Sequence, residues 1–170
     1  MRIPQPATGD VVDVIIEDHR LFEELLRELR DVTCDRAAAR SAMADLLVAH
    51  GEAEEDKVFP SLVRNRAISD DDAEHSVHSH EHVNAALLAL LEADIEDEAA
   101  FGVAVNGLAA ALGRHIGEEE LTILNHARLD TRPETRARLG KYFLEVRNAR
   151  LEKGAGSLEE VRELLSKHSH

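Results

Sequence analysis

The sequence predicts an all-α protein, an up-down-up-down four-helix bundle with additional C-terminal helices. Three observations point there. Aromatic residues make up 3% of the 170-residue chain and glycine and proline are few, whereas alanine and leucine, both strong helix formers, are abundant. Apolar residues recur at steps of three and four. No segment alternates with period two for long enough to form a strand.

The first helix is expected from about Asp10 to about Val32, with Val12, Ile15, Ile16, His19, Phe22, Leu26 and Leu29 along one side and Thr8 or Asp10 as its cap. The second is expected from about Arg36 to about Phe59, carrying Ala39, Met43, Leu46, Leu47, His50, Ala53 and Glu54 on one side and closing near Pro60. Ser69 and the run Asp70, Asp71, Asp72 suit the positive end of a third helix that ends near Ile95. The fourth spans Glu98 to about Ala127, with Phe101, Ala104, Val105, Leu108, Leu112, His115 and Glu119 on one face. Beyond Pro133 another helix reaches about Glu152. A Gly-Ala-Gly break at 154–156 then reads as a hinge before a short last helix opened by the capping box Ser157 to Glu160. Residues 1–130 are thus expected to form the bundle, and residues 131–170 a helical extension packed on or beside it.

Charge narrows the function. Lys and Arg number 20 against 34 Asp and Glu, a formal net charge of -14. Phosphate backbones and anionic lipid are repelled by such a surface, so neither nucleic acid nor membrane is an expected partner. The longest run without a charged side chain, Ala99 to Gly113, is too short to span a bilayer and reads as a core helix. Nothing in Met1 to Asp10 resembles an export signal, so a cytoplasmic protein is the expectation. Cys34 is the single cysteine, which leaves neither an internal disulfide nor a thiolate cluster.

The chemistry lies in a repeated pattern, a lone histidine followed by His-x-x-x-Glu: His19, then His50 and Glu54; His80, then His115 and Glu119. Four residues advance a helix by about 400°, so each His-x-x-x-Glu pair projects in nearly one direction, a turn apart. Folding each hairpin brings its lone histidine level with its pair, roughly 20 Å from the turn. His80 lies within about 20° of Leu87 on the helical wheel, the centre of its helix's apolar stripe. Six donors therefore fall in one layer and face inward. Four imidazoles and two glutamates buried without a partner would carry a large desolvation cost, which a bound dication removes. Imidazole with carboxylate and no thiolate suits iron, manganese or zinc, and bridging carboxylates suit a pair of metals; two iron ions are the first choice.

These motifs resemble the hemerythrin, or HHE cation-binding, family. The resemblance is carried by Asp18-His19-Arg20, "HGEAEEDKVFP" from His50, "HSHEHVNAALLALL" from His78 and "HIGEEE" from His115, and it covers about Asp10 to Arg128. The extended form, running on through "RARLGKYFLEVRNARLEKGAGSLEEVREL", is similar to bacterial proteins of an actinobacterial type. The resemblance implies a non-heme, carboxylate-bridged di-iron centre with an open position for O2, peroxide or nitric oxide. Its ligands would be His19, His50, Glu54, His80, His115 and Glu119. One departure matters: oxygen-carrying members place a second inward histidine one turn before the residue matched by His80, and Ser76 stands there. An aspartate ligand in the fourth helix is matched by Glu119. With one imidazole fewer, sensing or redox reactivity is favoured over reversible oxygen carriage. Peroxide decomposition is the alternative, and a helical protein without metal the second alternative. A dimer is compatible with all three.

Other candidates rank lower. His78 and His82 have ligand spacing but point roughly 140 to 180° away from the Leu87 direction, and His75 about 120° away. His126 shares the face of His115 but lies about 16 Å further along the axis. Glu118 is expected to orient a histidine, with Glu55 and Glu120 as surface charge, and His168 and His170 belong to the chain end.

Overall fold

The computed structural model describes residues 3–167, and among them every regular element is helical. Helix α1 is Val11–Arg30, α2 is Arg36–Ala53, α3 is Phe59–Arg64, α4 is Asp70–Glu92, α5 is Glu98–Glu119, α6 is Asn125–Asp130, α7 is Pro133–Lys153 and α8 is Leu158–Lys167. One turn of π-helix, Glu54–Val58, joins α2 to α3, and a second, Glu120–Leu124, joins α5 to α6. His168 and His170 lie outside the described residues.

The starts of the helices are fixed by short polar side chains. The Asp10, Asp35 and Asp97 carboxylates accept from the backbone N–H groups of Val12, Ala38 and Ala100 at 2.9–3.0 Å. Ser69 and Asp72 exchange side-chain and backbone hydrogen bonds in a full capping box at the start of α4. Helix α1 packs on α2 and α5, and α4 packs on α5 and α2, so these four enclose the core.

Two helices run further than expected, and each contains a π turn. The second helix continues past Pro60 to Arg64, and the fourth runs to Asp130. In each, the π turn inserts a residue and shifts the hydrogen-bond pattern; the Phe59 N–H bonds back to the Glu54 carbonyl. Pro60, which has no N–H to offer, falls in the first turn after that shift, where proline is tolerated. By length and composition Glu98–Asp130 would suffice to cross a bilayer. Here Phe101, Val105, Leu108 and Leu112 bury its inner face in the bundle core.

The apolar core is in two parts. One, with Phe22, Leu25, Leu29, Met43, Leu46, Leu87, Leu90, Phe101 and Leu108, fills the end near the α1–α2 turn. The other, with Val11, Ile15, Val58, Phe59, Leu62, Ile123 and Leu124, fills the opposite end. Between them lies a layer of buried polar side chains.

Helix α7 belongs to this packing. It lies on α1 and α2 and adds Leu139, Phe143 and Leu144 to the second core part. Gly140 permits the approach, since a Cβ there would lie 1.9 Å from the Gly9 carbonyl oxygen. The Gly-Ala-Gly break is pinned rather than hinge-like. Gly154 closes α7 at φ 69°, and Gly156 N–H donates to Asp45 Oδ1 at 2.8 Å. A Cβ on Gly156 would collide with the backbone of α2, so this turn is seated against the bundle and sets α8 against α4.

Candidate metal centre

All six predicted donors meet in the polar layer, and each is more than nine-tenths buried. His19 arrives from α1, His50 from α2, Glu54 from the first π turn, His80 from α4, and His115 and Glu119 from α5. His19, His50 and Glu119 present ligand atoms within 4.8 Å of one another, as do Glu54, His80 and His115. The glutamates link these two groups. Glu54 lies with Oε1 3.1 Å from His50 Nε2 and Oε2 3.2 Å from His80 Nε2. Glu119 Oε2 lies 3.2 Å from His19 Nε2 and 3.5 Å from His115 Nε2.

The outward ring nitrogens are held separately. His19 Nδ1 donates to Glu120 at 2.8 Å, His80 Nδ1 to Glu55 at 2.7 Å and His50 Nδ1 to Asp18 at 3.0 Å, while Ser79 Oγ lies 3.2 Å from His115 Nδ1. A carboxylate on Nδ1 fixes the tautomer that leaves Nε2 free as an electron-pair donor. The π turns make the first two contacts possible. They start at Glu54 and Glu120, and by re-phasing the helix they let Glu54 and Glu55, or Glu119 and Glu120, both reach inward although they are consecutive.

This corrects the sequence reading in three places. Glu118 orients no buried histidine but pairs with exposed His75 at 3.0 Å. Glu55 and Glu120 hold the imidazoles instead. His126, placed on the His115 face by an unbroken wheel, is exposed beyond the π turn and lies 3.3 Å from Asp130. The signal for the orienting glutamates was in the sequence all along, as the same His-x-x-x-Glu-Glu in both halves. Asp18, which the sequence offered only as part of a motif, holds His50, and its own partner, Arg147, comes from far along the chain.

The donor set has the chemistry of a cation site. The Nε2 atoms of His19, His50 and His80 and all four carboxylate oxygens of Glu54 and Glu119 are buried and make no hydrogen bond. Seven such orphans in one layer carry a desolvation cost that a bound cation would relieve. Protonation is skewed accordingly. Burial works against charge on His50, but the Glu54 carboxylate and Asp18 outweigh it and raise its pKa to about 10. Burial likewise opposes charge on His80, yet Glu54 and Glu55 raise it to about 9. His115, pressed by burial and by cationic His80, is pushed down to about 3. Glu54 is held well below the carboxylate range, since His50 and His80 overcome its burial, whereas burial and the Glu54 charge push Glu119 up.

A family model, the hemerythrin HHE cation binding domain, matches residues 10–127, well over half of the chain. The chain belongs to the hemerythrin HHE family. No curated protein and no solved structure matches it. The matched span begins at the cap of α1 and ends in α6, so it takes in all six donors of the hemerythrin-like layer and stops before α7.

Two cavities reach the hemerythrin-like centre from outside. One, of about 120 Å³, is lined by Ser76, Ser79, His115, Glu118, Glu119 and Thr122. The other, of about 30 Å³, borders Phe22, Gly51, His80, Val83, Leu112 and His115, with Leu164 of α8 at its edge. Ser76 is buried and faces the first cavity, the direction in which a longer imidazole would project. The remaining α4 histidines stay outside. His75 and His78 are about two-thirds exposed, and His82 Nε2 lies 3.2 Å from His78 Nε2 on the same solvent face.

Proposed function

We propose that this chain holds two iron ions, with His19 and His50 serving one, His80 and His115 the other, and Glu54 and Glu119 bridging them. We propose further that it meets a small oxidant or gas, namely O2, peroxide or nitric oxide, as a sensor or redox module. The observation that carries the second part is the 120 Å³ cavity between Ser76 and the His115–Glu119 pair. A cavity needs only about 10–15 Å³ of such volume to hold a water, so a diatomic or peroxide fits and still leaves room for exchange.

Bound iron would supply Lewis acidity and one-electron redox steps. The chain's own residues do the rest. Glu55, Glu120 and Asp18 hold the imidazoles in their donor tautomer, which keeps the electron-rich nitrogens turned inward. Phe22, Leu112 and Val83 keep the inner wall dry, and Ser76 and Thr122 offer hydroxyls at the larger cavity. Neither cavity combines the volume with the polar anchors that a sizeable organic substrate requires, which favours a small reactant.

The test is to reconstitute the protein anaerobically with ferrous iron and titrate it with azide after oxidation, and with nitric oxide before it. The proposal expects about two irons per chain and a spectral change within mixing to seconds for both probes. Iron that binds but ignores both probes would refute the small-ligand reading, and less than half an iron per chain would refute the di-iron reading.

A further inference from the structure

Helix α7 lies outside the matched family domain, yet it sends one charged side chain into the polar layer. Arg147 is 2% exposed and so is Asp18. The guanidinium grips Asp18 with both arms, Nε to Oδ2 at 2.7 Å and Nη2 to Oδ1 at 2.6 Å. Asp18 Oδ2 in turn accepts from His50 Nδ1 at 3.0 Å. The third nitrogen, Nη1, donates to the Pro4 carbonyl at 3.0 Å and to Asn148 Oδ1 at 2.8 Å, and Asn148 holds the Pro6 carbonyl at 2.9 Å. One turn earlier, the Phe143 ring stands edge-on to the His50 ring with centroids 5.5 Å apart.

This makes His50 unlike the other three histidines. The carboxylates that hold His19 and His80 belong to partly exposed glutamates on the bundle's own π turns, and His115 faces a serine. Of the three carboxylates on Nδ1 atoms only that of Asp18, on His50, is buried, and its position is set by an arginine from the extension. A planar guanidinium fixes a carboxylate in both distance and plane, so Asp18 cannot swing away from Nδ1 while α7 is seated.

We propose that Arg147 is a positioning residue for the metal centre: by clamping Asp18 it holds His50 in its ligating orientation, so that the seating of α7 and the affinity for metal are coupled. The coupling is reciprocal, since whatever α7 adds to metal affinity, bound metal adds to the hold on α7. Damage to or displacement of the C-terminal extension would therefore loosen the metal on the His19–His50 side, although Arg147 lies 97 residues beyond His50 in the sequence. The inference rests on the metal-centre reading above.

The experiment uses cobalt(II) as the probe, with affinity and d–d absorption measured on the full chain and on R147M, D18N and the double variant. Cobalt binding by the unaltered chain tests the centre itself; the variants test the clamp. Partners that orient metal ligands are worth about 10- to 100-fold in affinity. R147M should therefore weaken cobalt binding at least tenfold and change the band shape, and the same substitution should have little further effect in the D18N background. A purely structural role predicts a lower melting temperature with unchanged affinity and spectrum, or equal effects of R147M in both backgrounds, and either result overturns the proposal. If R147M does not fold, hydrogen exchange on the unaltered chain decides: cobalt should slow exchange in residues 143–150, and unchanged exchange there overturns the coupling.

Discussion

Glu55 accepts the Nδ1 proton of His80 at 2.7 Å, from a position immediately beyond the carboxylate that faces the same ring's other nitrogen. Glu120 repeats this on His19, so the two halves of the bundle use one local device. Replacing Glu55 or Glu120 by Ala should lower metal affinity about tenfold, and replacing Glu118 should not. Competition against a chelating dye with zinc as the probe checks this, and an E118A loss as large as that of E55A would contradict it.

Much of this centre was legible in the sequence because it is periodic. The six donors lie on helices whose apolar stripes run straight to them, so spacing alone brings His19, His50, His80 and His115 into one layer. What periodicity could not supply were the π turns. A wheel of constant pitch puts Glu55 and Glu120 outside and His126 inside, and one inserted residue in each helix reverses both placements. The Asp18–Arg147 clamp was hidden for another reason: it joins residues from opposite ends of the chain, and nothing local to Asp18, although it stands in the Asp18-His19-Arg20 motif, marks Arg147 as its partner.

His78 and His82 lie beside one another with ligand spacing but face solvent. Replacing either by Ala should leave the iron content of the reconstituted protein within measurement error of the parent. Metal analysis by emission spectroscopy checks it, and loss of iron from either variant would mean that α4 is turned the other way.

Metal uptake should release protons. His50 and His80 have pKa values raised to about 10 and about 9 in the metal-free protein, so both carry a proton near neutrality that a cation must displace. Affinity should rise steadily from pH 7 and level off once pH passes about 10. The sign for the metal-free fold is the reverse: both raised values favour the folded state fully below the unfolded value near 6.5, and that contribution is lost as pH rises through about 9 to 10. Calorimetric titration in buffers of different ionisation enthalpy measures the protons released, and an affinity that falls between pH 7 and 9 would contradict this account.

Removing metal should lower thermal stability. Binding to the folded state alone adds RT ln(1 + [L]/Kd), about 4 kcal/mol at a thousandfold excess over Kd. Relief of the orphaned donors is part of that binding energy, and their cost returns when the metal leaves. Melting with and without a chelator should differ by several degrees, and superimposable curves would place the metal outside the core.

Ser76 borders the larger cavity, and a histidine there would project into it. S76H should slow azide binding to the oxidised protein by about tenfold or more, because a protein imidazole is displaced less readily than water. Stopped-flow absorbance reads the rate, and an unchanged rate would show that azide arrives by the smaller cavity beside Leu164.

The central claim is a two-iron centre that is open to small reactants. Its most direct measurement is iron content together with Mössbauer spectra of protein reconstituted with iron-57, taken reduced, after exposure to O2, and after the O2 has been removed. The account predicts about two irons per chain, a high-spin diferrous signal that converts to a coupled diferric one on exposure, and no return when the O2 is withdrawn. A single uncoupled iron per chain would contradict the two-iron centre, and a diferrous signal that returns over repeated cycles would show reversible oxygen carriage instead.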